Sequence, residues 1–166
     1  MSTVKRAIIF DWGDTLMKDF TQYKGPMVQW PYVEAISGVK ESLHKVYKNY
    51  ICCVASNAGD SDGELMQLAL KRVELDGYFT AFFTSKELGV EKPSIKFFQE
   101  ILKRLNVKPN EVIMVGNDYI KDIKPAKTVG MATILYSKAN HKEYKEFADY
   151  VINSMEQLDS IIFKFK

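Results

Sequence analysis

The stretch Ala7-Ile8-Ile9-Phe10-Asp11-Trp12-Gly13-Asp14-Thr15-Leu16 decides how the rest of the chain is read. Four consecutive apolar residues without alternation fit a central parallel strand covered by helices on both faces. The run stops at an aspartate, and Gly13-Asp14 then marks a turn. A strand that ends in a carboxylate puts that group on the edge of the sheet where open α/β folds bind ligands. The same arrangement recurs further along. The apolar run 112–115 ends in Gly116-Asn117-Asp118 with Asp122 just beyond, and the run 51–55 ends in Ser56-Asn57.

Strands are expected at 7–10, 51–55, 81–84, 112–115, 133–135 and 150–152, and helices at 39–48, 63–73, 95–105, 120–129 and 155–162. In 95–105, Phe97, Phe98, Ile101, Leu102 and Leu105 recur at three- and four-residue steps, which is one buried helical face. Strand–helix alternation along the whole chain predicts an α/β fold, a doubly wound parallel sheet in three layers with right-handed crossovers. At 166 residues the chain reads as one domain, 1–166.

One segment breaks the alternation. Residues 16–32 carry Phe20, Tyr23, Gly25-Pro26, Trp30 and Pro31 with little periodicity. The segment follows the first strand directly. It reads as a flap over the site, as a loop pinned by its aromatics, or as a surface for a partner, a second copy of the chain included.

Composition narrows the function classes. The chain has 46% apolar and 27% charged residues, and 23 basic against 21 acidic side chains leave a net charge of +2. That balance gives no strong signal for nucleic acid or anionic membrane. The basic groups Lys103, Arg104 and Lys108, and Lys121, Lys124 and Lys127, stand at helical spacing and read as solvated faces. No apolar run approaches the roughly 20 residues needed to span a bilayer, and the N-terminus lacks a cleavage pattern for a signal peptide. Cys52 and Cys53 are neighbours on an expected strand, so their side chains point to opposite faces. Two buried, reduced thiols and a cytoplasmic location are expected.

The residues at the strand ends suit phosphoryl chemistry. A phosphate monoester is doubly negative and repels an anionic nucleophile, so an aspartate attacks it only where a cation offsets the repulsion. Mg²⁺ held by carboxylate and carbonyl oxygens does so, and a lysine adds a point charge. Asp11, Ser56, Lys92, Asp118 and Asp122 all fall at strand ends or helix starts on one edge. Asp118 and Asp122 also read as the N-cap and first-turn acid of a helix, and Asp60-Ser61-Asp62-Gly63 as the entry to another.

Asp11-Trp-Gly-Asp-Thr15, Ser56-Asn57, Lys92-Pro93 and Gly116-Asn-Asp-x-x-x-Asp122, in that order, resemble the four motifs of the haloacid dehalogenase-like superfamily of hydrolases. The resemblance runs from Ala7 to about Ile162 and includes Gly77-Tyr-Phe, Phe82-Phe-Thr-Ser85 and Ala148-Asp-Tyr-Val-Ile152. It implies Asp11 as nucleophile and Mg²⁺ ligand, and Ser56 and Asn57 as phosphate-binding residues. It implies Lys92 as a catalytic and phosphate-binding cation. The Gly13 backbone carbonyl would be a further metal ligand, with Asp118 and Asp122 as the carboxylates that complete the metal site.

Two positions depart from the pattern. Gly13 stands where most phosphatases of the superfamily carry a second aspartate that protonates the leaving oxygen, a function worth about 10²–10⁴-fold in rate. Asn117 stands where an acidic metal ligand is usual. Only about 40 residues separate Asp11 from Ser56, which leaves no room for a full cap domain there or before Lys92. A capless member of the superfamily implies an open site suited to a bulky or macromolecular phosphate. The expected function is a Mg²⁺-dependent phosphatase working through an aspartyl-phosphate. The alternative is a weak or inactive module of the same fold that acts by binding. A phospho-acceptor receiver domain fits less well, since its acid pair and acceptor follow the first and third strands, and a dehalogenase would leave the Asp118 motif without a purpose.

Overall fold

Six short apolar runs pair into one sheet, and every pairing is parallel. The computed structural model describes residues 4–57 and 59–165. In chain order the elements are β1 (Ala7–Phe10), α1 (Val39–Val46), β2 (Ile51–Ser56), α2 (Gly63–Arg72), β3 (Ala81–Thr84) and α3 (Ser85–Leu88). They continue with α4 (Ile95–Leu105), β4 (Val112–Gly116), α5 (Lys124–Val129), β5 (Ala132–Tyr136), β6 (Tyr150–Ile152) and α6 (Leu158–Ile162). The spatial order is β3-β2-β1-β4-β5-β6. The chain winds outward from β1 to β3, then returns to β4 on the other flank of β1. The change of direction therefore falls between β1 and β4, the place where open sheets form a ligand crevice. Phe10 stands level with Val54 of β2 and Val115 of β4, so Asp11 leaves β1 level with Ala55 and Gly116, at the carboxyl ends of the two flanking strands.

Alternation along the strands divides the core in two. Ile8, Phe10, Cys52, Val54, Ile113 and Val115 face one layer, where they meet Val39 and Leu43 of α1, Met66 and Leu70 of α2 and Leu158 of α6. Ile9, Cys53, Ala55, Val112 and Met114 face the other, against Phe97, Phe98 and Ile101 of α4 and Ala126 of α5. Helix α4 exists because its apolar face has this sheet to cover, and each fully buried Phe contributes about 1.5–3 kcal/mol. The doubly wound, three-layer α/β architecture is the one expected. Cys52 and Cys53 sit in different cores, both unpaired. Burial pushes the Cys52 thiol up to about 12 and the Cys53 thiol up as well.

The expected helix over 120–129 is two elements. A π turn, Tyr119–Ile123, precedes α5. Pro125 has no N–H to give to residue 121, so an unbroken α-helical ladder cannot run through this point. The wider turn holds Asp118 and Asp122 against the end of β4: Asp122 N–H donates to Asp118 O at 2.8 Å. The expected helix over 155–162 likewise opens as a 3₁₀ turn, Met155–Gln157, before α6.

Residues 16–32 are held in place by several contacts. Trp30 is buried, and its indole N–H donates to Gly25 O at 3.0 Å. Arg72 of α2 donates to Trp30 O at 2.7 Å and to Val28 O at 3.1 Å. Phe20, Tyr23, Tyr32 and Trp30 form a chain of ring contacts at 5.5–5.9 Å. Between the described residues of β1 and β2 lie this segment and α1; between those of β2 and β3 lie α2 and a 3₁₀ turn. No helix among the described residues is long and apolar enough to cross a membrane.

Candidate active site

At the end of β1, Asp11 continues the ladder through its N–H, which donates to Val115 O at 2.9 Å. The chain then turns sharply. The N–H groups of Leu16, Thr15 and Met17 converge on Trp12 O, and Asp14 takes a left-handed conformation at φ 59°. Aspartate tolerates that conformation because its short side chain bonds locally. Here the Asp14 carboxylate accepts the N–H of Asp19 at 3.0 Å. The turn also brings Thr15 back under the strand, where its hydroxyl lies 3.3 Å from Asp11 Oδ2 and 3.2 Å from Asn117 Oδ1.

Lys92 reaches this point from the loop before α4. Its ammonium donates to Asp11 Oδ1 at 2.9 Å, Asp122 Oδ1 at 2.7 Å and Ala55 O at 3.2 Å. An ammonium has three N–H bonds, and all three are committed. Burial works against its charge, but Asp11 and Asp122 outweigh burial and hold the Lys92 ammonium above its ordinary value. Asp122 is almost wholly enclosed. Burial, and then the charge of Asp11, raise its carboxyl well above the usual range despite Lys92. Its second oxygen accepts Asp118 N–H at 3.1 Å.

The structure brings all seven sequence-predicted site residues to one cleft of about 240 Å³, but assigns them different positions. Asp11, Gly13, Ser56 and Asp118 line it directly. Asp122 lies at the back, with both oxygens engaged by Lys92 and the backbone. Asp118 caps the π turn: one oxygen accepts from Ile120 N and Lys121 N at 3.0 and 2.9 Å. Asn57 exchanges two hydrogen bonds with the Lys92 backbone, 3.0 Å to its O and 2.7 Å from its N–H. The side chain of Asn57 thus anchors the Lys92 loop, and the neighbouring Ser56 faces the cleft.

Two lining residues escaped the sequence reading. Lys121 is exposed, as expected of a solvated face, and also borders the cleft. Asp19 belongs to the aperiodic segment and carried no signal of its own. Shielding by the cleft wall, then the charges of Asp14 and Asp11, raise the Asp19 carboxyl above its ordinary value. Gly116 is required sterically, because a methyl group there would overlap the Asp122 side chain. Gly116→Ala is expected to displace Asp122 and cost about 1–3 kcal/mol, as overpacking does; urea denaturation measures it, and an unchanged midpoint would refute the packing argument.

Five carboxylates (Asp11, Asp14, Asp19, Asp118 and Asp122) and two ammonium groups line the cleft, so its charge is negative and its donors are hard oxygens. No three acidic, histidine or cysteine side chains among the described residues converge tightly enough to hold a metal unaided. A cation there must draw on backbone or amide oxygens and water as well, which suits Mg²⁺ better than a metal that needs a closed cage.

The model of the haloacid dehalogenase-like hydrolase family matches residues 2–136. Among curated proteins, the glyceraldehyde 3-phosphate phosphatase of Pyrococcus furiosus is 34% identical over 139 residues, 81% of this chain and 57% of that protein. The glyceraldehyde 3-phosphate phosphatase of Methanocaldococcus jannaschii is 39% identical over 99 residues, 58% of this chain and 43% of that protein. The chain thus spans about half the length of these relatives. Among solved structures, an uncharacterized protein of Listeria monocytogenes superposes with a TM-score of 0.84 at 24% identity, over 96% of this chain and 98% of that one. The HAD-hydrolase YfnB of Bacillus subtilis, solved bound to magnesium, superposes at 0.75 and 16% identity, over 96% of this chain and 99% of that one.

Proposed function

The chain belongs to the haloacid dehalogenase-like hydrolase family, and from that premise we propose that it is a Mg²⁺-dependent phosphatase of phosphate monoesters with Asp11 as nucleophile. The observation that carries this reading is the buried chain Asp11–Lys92–Asp122 at the sheet's change of direction. Lys92 holds Asp11 in one rotamer by a bond to Oδ1. Among the described residues the other oxygen, Oδ2, has one contact, at 3.3 Å with Thr15, and would be the one that attacks substrate. An attacking group held in one orientation has already lost the freedom that a free carboxylate would lose at the transition state.

The donor set fits Mg²⁺. Asp11, the Gly13 carbonyl and the second oxygen of Asp118 would hold it, with Asn117 beside them; we assign the distal carboxylate to Asp118 because Asp122 is spent on Lys92. When bound, the ion would neutralise the repulsion between carboxylate and phosphate. Ser56 and nearby backbone N–H groups would take the remaining phosphoryl oxygens. Asp11 would carry the phosphoryl group as an aspartyl-phosphate, which water then hydrolyses.

The two curated relatives are named for a small phosphate ester, glyceraldehyde 3-phosphate. Cavities of about 330 and 420 Å³ flank the phosphoryl cleft, room for a metabolite-sized leaving group. Both points favour small esters over the bulky phosphate suggested by the missing cap. With p-nitrophenyl phosphate and Mg²⁺, the protein is expected to release p-nitrophenol, and chelation of the metal is expected to stop it. No turnover with any divalent metal would leave the fold as a binding module.

A further inference from the structure

We propose that Asp19 is a catalytic residue, the group that delivers the proton to the departing ester oxygen; this rests on the phosphatase reading above. An alkoxide is a poor leaving group, and a proton must reach it as the P–O bond breaks. Most side chains of the cleft are committed elsewhere. Lys92 spends its three N–H bonds on Asp11, Asp122 and Ala55 O. Asp122 is enclosed behind Lys92, and Asp11 is the attacking group. Asp118 caps the π turn and stands on the metal side.

Asp19 is placed differently. It lines the phosphoryl cleft and also both flanking cavities, one walled by Trp12, Tyr23 and Trp30, the other by Phe20, Ile36 and Tyr136. Whichever cavity takes the leaving group, the bridging oxygen passes Asp19. The carboxyl fills the room beside Gly13: a methyl group built there would stand 3.6 Å from both Cβ and Oδ2 of Asp19. At that distance a methyl at position 13 would be in ordinary contact with Asp19, so the Asp19 carboxyl stands on the side of the nucleophile's loop toward which a side chain at 13 would point. Asp14 fixes the approach through its bond to the Asp19 N–H, and Lys18 is tied to Glu34 through backbone and side chain on the adjoining position.

Asp11 Oδ2 forms a bond to phosphorus, and the ester P–O bond breaks with its electron pair passing to the leaving oxygen. That oxygen takes the proton of Asp19, which becomes a carboxylate, and the alcohol departs. Water then attacks phosphorus and gives a proton to Asp19. The Asp11–phosphorus bond breaks with its pair returning to Asp11, and inorganic phosphate leaves.

The test compares wild type, Asp19→Asn and Asp14→Asn on two esters with Mg²⁺, reading kcat/KM, which covers the steps up to release of the alcohol. On glycerol phosphate, whose leaving group needs a proton, Asp19→Asn is expected to lose about 10²–10⁴-fold. On p-nitrophenyl phosphate, whose leaving group does not, it is expected to change less than about threefold. Equal losses on both esters would overturn the proposal, because a merely structural role lowers both alike. So would an unchanged variant, or an alkyl-ester loss found in Asp14→Asn and not in Asp19→Asn. A wild type inactive on both esters would refute the phosphatase reading itself; an active wild type with an indifferent Asp19→Asn refutes only the role of Asp19.

Discussion

Asp11→Asn is expected to abolish phosphatase turnover, by about 10⁴-fold or more, while leaving the fold and its stability nearly intact. The amide matches the carboxylate in shape and still accepts the Lys92 N–H through its oxygen. It is a far poorer nucleophile and brings no negative charge to a metal. Stability is not expected to fall by more than about 1 kcal/mol, because the site stores repulsion that the substitution removes. Asp11 and Asp122 are two buried carboxylates sharing one ammonium, and the charge of Asp11 is among the causes that raise Asp122. Turnover on p-nitrophenyl phosphate and urea denaturation of the same preparation check both halves. Retained activity would remove Asp11 from the chemistry; a large loss of stability would mean that its charge is structural.

Lys92→Met is expected to have the opposite profile, losing activity and stability together. Removing the ammonium leaves Asp11 and Asp122 buried with no cation between them, and a buried pair broken on one side costs about 3–5 kcal/mol. The loss carries a pH signature. In the wild type the Asp122 carboxyl is raised from an ordinary 3.8 to about 7, by burial and by Asp11, with Lys92 pulling the other way. A carboxyl raised in the folded state takes up its proton there first. Its contribution is therefore full below the unfolded value and lost as pH rises through the folded one. Without Lys92 the folded value rises further, so the variant goes on losing stability at higher pH, where the wild type has levelled off. The gap between the two proteins is expected to be smaller at pH 5 than at pH 8.5 in urea denaturation. An equal gap would mean that Asp122 does not feel Lys92.

Much of this arrangement was legible in the sequence, for a local reason. An apolar run that stops at Asp11, Ser56 or Gly116 announces both a central strand and the polar edge beyond it. Parallel pairing then has few ways to bring those edges together. Helix α4 was legible because Phe97, Phe98, Ile101 and Leu102 repeat at helical steps. Asp19 was not, since its place depends on the left-handed turn at Asp14 and on the bond from its N–H to the Asp14 carboxylate, neither of which leaves a periodic trace. Lys121 reads as surface and is exposed; its place beside the cleft comes from the π turn Tyr119–Ile123, which has no periodic trace in the sequence. The division of labour between Asp118 and Asp122 was hidden because both are carboxylates in one short motif, and only the packing of Lys92 separates them.

The claim that Asp11 carries the phosphoryl group has one direct test. Protein turning over p-nitrophenyl phosphate with Mg²⁺ is quenched and reduced with borohydride, which converts an acyl phosphate to an alcohol. Peptide mass spectrometry then locates any homoserine formed from aspartate. Homoserine at position 11, dependent on substrate and absent from Asp11→Asn, is the result expected. Sustained turnover with Asp11 unmodified, or homoserine at Asp14 or Asp19 instead, would contradict it.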